Sequence, residues 1–195
     1  MIFFDARNRQ ILSPLCAQCS DPDFKPRNHN LFNAGCCGHS PVFTLFEIGQ
    51  MVRKQRQEFF LRHIYRHENS VVRPYDIVVR ARVHPRFYGH DTRSLTDMER
   101  ADLEREYSLC PFFVEETGCG LDPQFKPSLC RAFICTDLES RLDEKNRTLW
   151  QKQLKEIRAE AENFNKKHRA VLQHKKLNLI DHVGEVLAYF ERMFA

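Results

Sequence analysis

Long apolar stretches are missing from this chain, which nowhere approaches the roughly 18 to 20 consecutive apolar residues of a bilayer-spanning helix. A helical membrane protein is thereby excluded. The opening M-I-F-F-D-A-R-N-R-Q lacks the basic flank and apolar run of a secretory signal, so the expected setting is the cytoplasm, with reduced thiols. Charge of one sign is scarce as well. The 30 Lys and Arg against 26 Asp and Glu leave a net charge of +4, and zinc-finger spacings are absent, so nucleic acid is not an expected partner. Neither H-E-x-x-H, nor G-x-S-x-G, nor a Gly-rich phosphate loop occurs, which leaves an enzyme without a catalytic signature. Tryptophan occurs once against 16 phenylalanines, pointing to a core packed with phenyl rings. At 195 residues and 42% hydrophobic content, the chain is long enough to bury such a core.

What is present in quantity is clustered cysteine. Cys110, Cys119, Cys130 and Cys135 fall within 26 residues, and Cys16, Cys19, Cys36 and Cys37 form a second group across a 72-residue gap. Core cysteines placed by chance would not divide into two tight groups, and disulfides need an oxidising compartment that the N-terminus does not indicate. Metal chelation is the reading that fits, because thiolates hold soft and borderline metals strongly. Cys16-x-x-Cys19 is a turn that lets two thiolates converge. Cys36 and Cys37 are adjacent, and neighbouring side chains on an extended segment point to opposite sides. Such a pair reaches two irons of a cluster more easily than one small ion. A [4Fe-4S] cluster is therefore favoured, with zinc as the other cofactor. Phe112, Phe113 and Phe133 flank the second group and would exclude solvent from it.

Between and beyond the cysteines the pattern is mainly helical. Thr44-x-x-Glu47 is a capping box that opens an amphipathic helix over 45 to 66. Ile77, Val79, Ala81 and Val83 alternate with Val78, Arg80 and Arg82 as a strand does. Thr96-x-x-Glu99 opens a surface helix to about 108, anchored through Leu95, Leu103 and Tyr107. Thr136-x-x-Glu139 supplies a third box, placing Cys135 at a helix N-terminus. No Gly or Pro occurs from Ser128 to Val183, and apolar positions at helical spacing predict one long helix over 137 to 173 and a second through Ile180 to Phe194. Residues 1 to 15 hold two short apolar runs that fit an edge strand or docked coil equally. His39, and the pair His63 and His67, lack the company of a metal motif.

The order CxxC, CC, C-P-F-F, G-C and K-P-S-L-C-R-x-F-x-C resembles the YkgJ-like cysteine-cluster family, a zinc- or iron-chelating domain with eight cysteines. The family's opening motif is CxxCxxCC, whereas sixteen residues separate Cys19 from Cys36 here. The resemblance covers residues 14 to 138 and implies metal binding without a reaction. The expectation is thus a mainly α fold with Cys-rich metal-binding loops and minor β, ending in an αα-hairpin. Residues 1–138 would form the cysteine-cluster domain and 139–195 a helical extension packed on it, offering a surface for a protein partner or homodimer. All eight cysteines are candidate ligands, in a structural, electron-transfer or sensing role. The alternative is a metal- or cluster-dependent enzyme, or an accessory subunit of one, with an open coordination position.

Overall fold

A computed structural model describes residues 2–13, 35–114 and 118–195, apart from the side chains of Cys36, Thr136 and Asp137. Residues 3 to 12 settle as a hairpin. β1 (Phe3–Asp5) and β2 (Gln10–Leu12) pair antiparallel with Phe4 opposite Ile11. Its turn is organised by one carboxylate: Asp5 accepts from the Arg7 and Asn8 amides and from the Asn8 and Gln10 side chains, while Arg9 takes a left-handed φ of 50°. Short polar side chains satisfy turn amides in this way.

A three-stranded antiparallel sheet follows, in the order β3 (Val42–Thr44), β5 (Asp76–Val79), β4 (Ser70–Val72). The alternation holds over β5, where Ile77 and Val79 are fully buried. It does not run on to Val83. The Arg80 amide donates to Asn69 O and the Ala81 amide to Ser40 Oγ, taking the chain out of the sheet. Arg82–Val83 then forms β6, which pairs with β7 (Ser108–Leu109).

The helix expected over 45 to 66 is interrupted. α1 (Leu45–Arg53) starts where Glu47 reaches back to the Thr44 amide at 2.9 Å. It ends in a Schellman closure, with Gln55 at φ 56°, its amide on Val52 O and the Arg56 amide on Met51 O. α2 (Gln57–Phe60) then runs into a π-helical turn, Leu61–Tyr65. α3 (Asp97–Glu106) has the expected box: the Thr96 amide donates to Glu99 and the Glu99 amide to Thr96. It buries none of its own residues, and Tyr107 at its end reaches the interior.

α4 (Ser128–Ala132) and α5 (Thr136–Ser140) precede the long α6 (Glu144–His174). The single helix predicted over 137 to 173 is therefore broken at Arg141–Asp143. Asp143 starts α6 afresh by accepting from the Asn146 amide at 2.8 Å. A second Schellman closure, with Lys176 at φ 56° and the Leu177 amide on Leu172 O, ends it. α7 (Val183–Phe194) returns against α6 through a stacked Phe164–Phe190 pair.

The main apolar cluster joins α1, the three-stranded sheet and both C-terminal helices through residues such as Phe43, Ile48, Phe60, Ile77, Leu172 and Phe190. A smaller cluster packs Ile2 and Ile11 of the hairpin on Ile134, Leu138 and Leu142. The architecture is mainly α with minor β and a long C-terminal helix, and among the described residues no helix is long and apolar enough to cross a membrane.

Candidate metal centre

Cys36 and Cys37 lie on a 3-10 turn, Gly35–Gly38. This turn meets the second cysteine group directly, since the Cys110 amide donates to the Cys37 carbonyl at 2.6 Å. Cys110 is brought there by the β6–β7 pairing just before it and is 9% exposed. Its own carbonyl accepts from the Phe113 amide, opening a second small hairpin of β8 (Phe113–Val114) and β9 (Gly118–Cys119). Phe113 stands opposite Cys119 in that pairing. The Gly120 amide closes the hairpin on Phe112 O at 2.8 Å. A Cβ at Gly120 would lie 3.0 Å from Val114 Cγ2 and 3.3 Å from Phe112 O, so the close backbone approach depends on glycine. The Phe112 ring meets Phe43 edge-on at 5.8 Å, and Phe112 and Cys119 both pack against the main cluster.

The last two cysteines lie elsewhere on the same stretch. Cys130 is exposed on α4, and Cys135 is half-buried beside the smaller cluster with Phe4 and Trp150. The sequence pattern gave the capping role at α5 to Thr136. Cys135 takes it instead: its Sγ accepts from the Leu138 amide at 3.4 Å, because the residue at the cap has extended backbone that aims its side chain at the first turn. Cys16 and Cys19, with the turn-rich segment that follows them, lie outside the described residues, as does the Cys36 side chain.

Thus the structure brings Cys37 to Cys110 and puts Cys119 on the adjoining hairpin, while Cys130 and Cys135 belong to the α4–α5 region. Among the described residues no three His, Cys, Asp or Glu side chains converge as a metal would require. The chemistry of the full donor set nonetheless suits zinc or an iron-sulfur cluster, both of which take thiolates. The histidines serve other ends. His67 Nδ1 accepts from the Asn69 amide at 3.1 Å, and His63 lies against Phe59 with ring centres 5.0 Å apart. His39 lines an open groove of about 310 Å³ with Ser40, Glu104, Arg105 and Ser108, next to Cys37.

One residue escaped the sequence reading. Arg131, adjacent to Cys130, is only 6% exposed, and its Nε has no hydrogen-bond partner among the described residues. A lone charge inside the apolar run L-C-R-A-F-I-C is the signal that could have marked it. Its guanidinium carbon lies 5.4 Å over the Phe46 ring. Burial pushes its pKa down, against the opposing pull of Glu47 and Glu160.

Comparison with protein-family models, with curated proteins and with solved structures finds no match for this chain.

Proposed function

We propose that the protein is a metal-binding protein whose clustered cysteines chelate an iron-sulfur cluster or zinc, in a structural, electron-transfer or sensing role. The observation that carries the reading is the 2.6 Å bond from the Cys110 amide to the Cys37 carbonyl. It joins two ligand-bearing segments that stand 72 residues apart in sequence, as a centre built from both cysteine groups requires. The resemblance of the C-P-F-F and K-P-S-L-C-R-x-F-x-C segments to the YkgJ-like family supports the same reading. The proposed ligands are drawn from Cys16, Cys19, Cys36, Cys37, Cys110, Cys119, Cys130 and Cys135. Phe112 beside Cys110, held edge-on by Phe43, supplies the apolar screen that a cluster's potential depends on.

When bound, the metal would cross-link segments far apart in sequence, so binding and folding would be coupled. A second reading, a metal-dependent enzyme with an open coordination position, draws on the groove beside Cys37, whose Glu104, Arg105 and His39 could hold a small polar substrate.

Anaerobic purification followed by metal analysis and a visible spectrum tests the proposal. A brown protein with stoichiometric iron and sulfide supports the cluster, and a colourless one with stoichiometric zinc supports zinc. In either case a strong chelator under reducing conditions should lower the melting temperature. Protein that carries neither metal, and whose melt ignores the chelator, would sink the reading.

A further inference from the structure

The bond from the Cys110 amide to the Cys37 carbonyl, 2.6 Å long, constrains two thiol-bearing residues as well as two backbones. Bond lengths on either side of it cap the Cα–Cα separation at about 6.8 Å even with every angle straightened, and real bond angles shorten that. Disulfide-linked cysteines have Cα atoms about 4.4–6.8 Å apart. Cys37 and Cys110 therefore stand within disulfide range without a rearrangement of the backbone. Ordered elements hold both: Cys37 lies in the turn Gly35–Gly38, and Cys110 follows Leu109 of β7, which pairs with Arg82 of β6. Their access differs. Cys110 is 9% exposed, whereas Cys37 is half-buried and precedes Gly38 and His39, which line the open groove. Cys119 and Cys135 have other neighbours, the one opposite Phe113 and the other accepting from the Leu138 amide at the cap of α5.

We propose that Cys37 and Cys110 form a redox-active dithiol, closed into a disulfide by a low-molecular-weight disulfide such as glutathione disulfide, and that this closure releases metal from the centre. Release of metal rests on the proposed metal-binding function; closure of the disulfide does not. The more accessible Cys37 thiol attacks one sulfur of glutathione disulfide, giving a mixed disulfide and one glutathione. The Cys110 thiol then displaces the second glutathione. One S–S bond breaks and one forms, two protein thiols are oxidised, and the two electrons and two protons leave on two glutathione molecules. Metals are held by thiolates, so sulfurs joined to each other no longer hold one. In a reducing compartment such a bond is transient, as a redox-sensing role requires.

The test incubates the anaerobically purified full chain with glutathione disulfide in the absence of oxygen. Remaining thiols are alkylated, the disulfides are mapped by mass spectrometry of peptides, and zinc or iron set free is measured alongside. The expected result is a Cys37–Cys110 link as the main crosslink, with metal lost in proportion to it and the link reversed by dithiothreitol. Early samples should carry glutathione on Cys37 rather than on Cys110. Crosslinks that mainly join other cysteines, or glutathione adducts that never resolve into a crosslink, would overturn the pairing. A Cys37–Cys110 link that forms while the metal stays bound would overturn its control of the centre. Wild-type protein that carries no metal at the outset would instead refute the metal-binding function, and the peptide map would still decide whether the two cysteines pair.

Discussion

Gly49 shows how one missing side chain sets the distance between two helices. A Cβ at this position of α1 would lie 2.8 Å from Phe164 Cζ, closer than carbon atoms pack. Phe164 cannot easily yield, because its ring is boxed by Phe46 at 5.5 Å, His168 at 4.1 Å and Phe190 at 5.8 Å. Two effects compete in Gly49→Ala. Helix propensity favours alanine by about 1 kcal/mol, whereas forcing an atom into a packed core costs about 1–3 kcal/mol. The clash should win, giving a lower urea midpoint with an unchanged slope. A midpoint at or above that of the wild type would mean that Phe164 moves aside freely.

At the scale of elements, α6 and α7 are joined by a buried polar contact as well as by rings. His168, 4% exposed, shares a 2.6 Å hydrogen bond with Tyr189 Oη. Burial, and secondarily the charge of Lys167, push the His168 pKa below the ordinary histidine value. The neutral ring is thus the form that the fold favours, and on acidification the unfolded chain takes up the proton first. The stability contributed by this contact is full above the ordinary histidine pKa and is lost as pH falls through the lowered folded one. Melting temperatures between about pH 7 and pH 5 should therefore fall more steeply for the wild type than for His168→Gln. Parallel curves would rule the residue out as a source of acid sensitivity. The longer of these helices also holds α1 at its N-terminal end: Asn165 of α6 accepts from the Phe46 amide at 2.8 Å, one of the amides that no helix can satisfy internally.

On the scale of the whole molecule, Glu47 joins two parts of the chain. It belongs to the start of α1 in the main core, yet its Oε1 accepts from the Ser128 amide at the head of α4, whose residues lead into the smaller cluster. At 3% exposure it is a buried carboxylate whose two oxygens both accept from protein donors. Glu47→Gln replaces one acceptor oxygen by a donor and leaves a buried amide facing it, a loss of about 1–3 kcal/mol. Chemical denaturation should register that loss. If the Ser128 amide remains as protected from hydrogen exchange in the variant as in the wild type, the link between α1 and α4 does not depend on Glu47.

Local chemistry was legible in the chain before any fold. The T-x-x-E boxes at Thr44 and Thr96 start α1 and α3 where the pattern put them, and the Ile77–Val79 alternation faces the core. These signals depend on residues a few positions apart, so their physics is contained in the sequence window that displays them. The breaks were harder to see. Gln55 and Lys176 turn left-handed without being glycine, and Asp143 restarts a helix in a stretch free of Gly and Pro. In each case a cap competes with continued helix, and packing of the flanking segments decides between them. The grouping of eight cysteines was equally plain as a count, and their chemistry needs no fold to state. Which of them meet is another matter: the bond between Cys110 and Cys37, the placing of Cys135 at a helix cap and the burial of Arg131 beside Phe46 arise from contacts between residues far apart in sequence. No window contains both partners of such a contact, so only the closing of the core could set them.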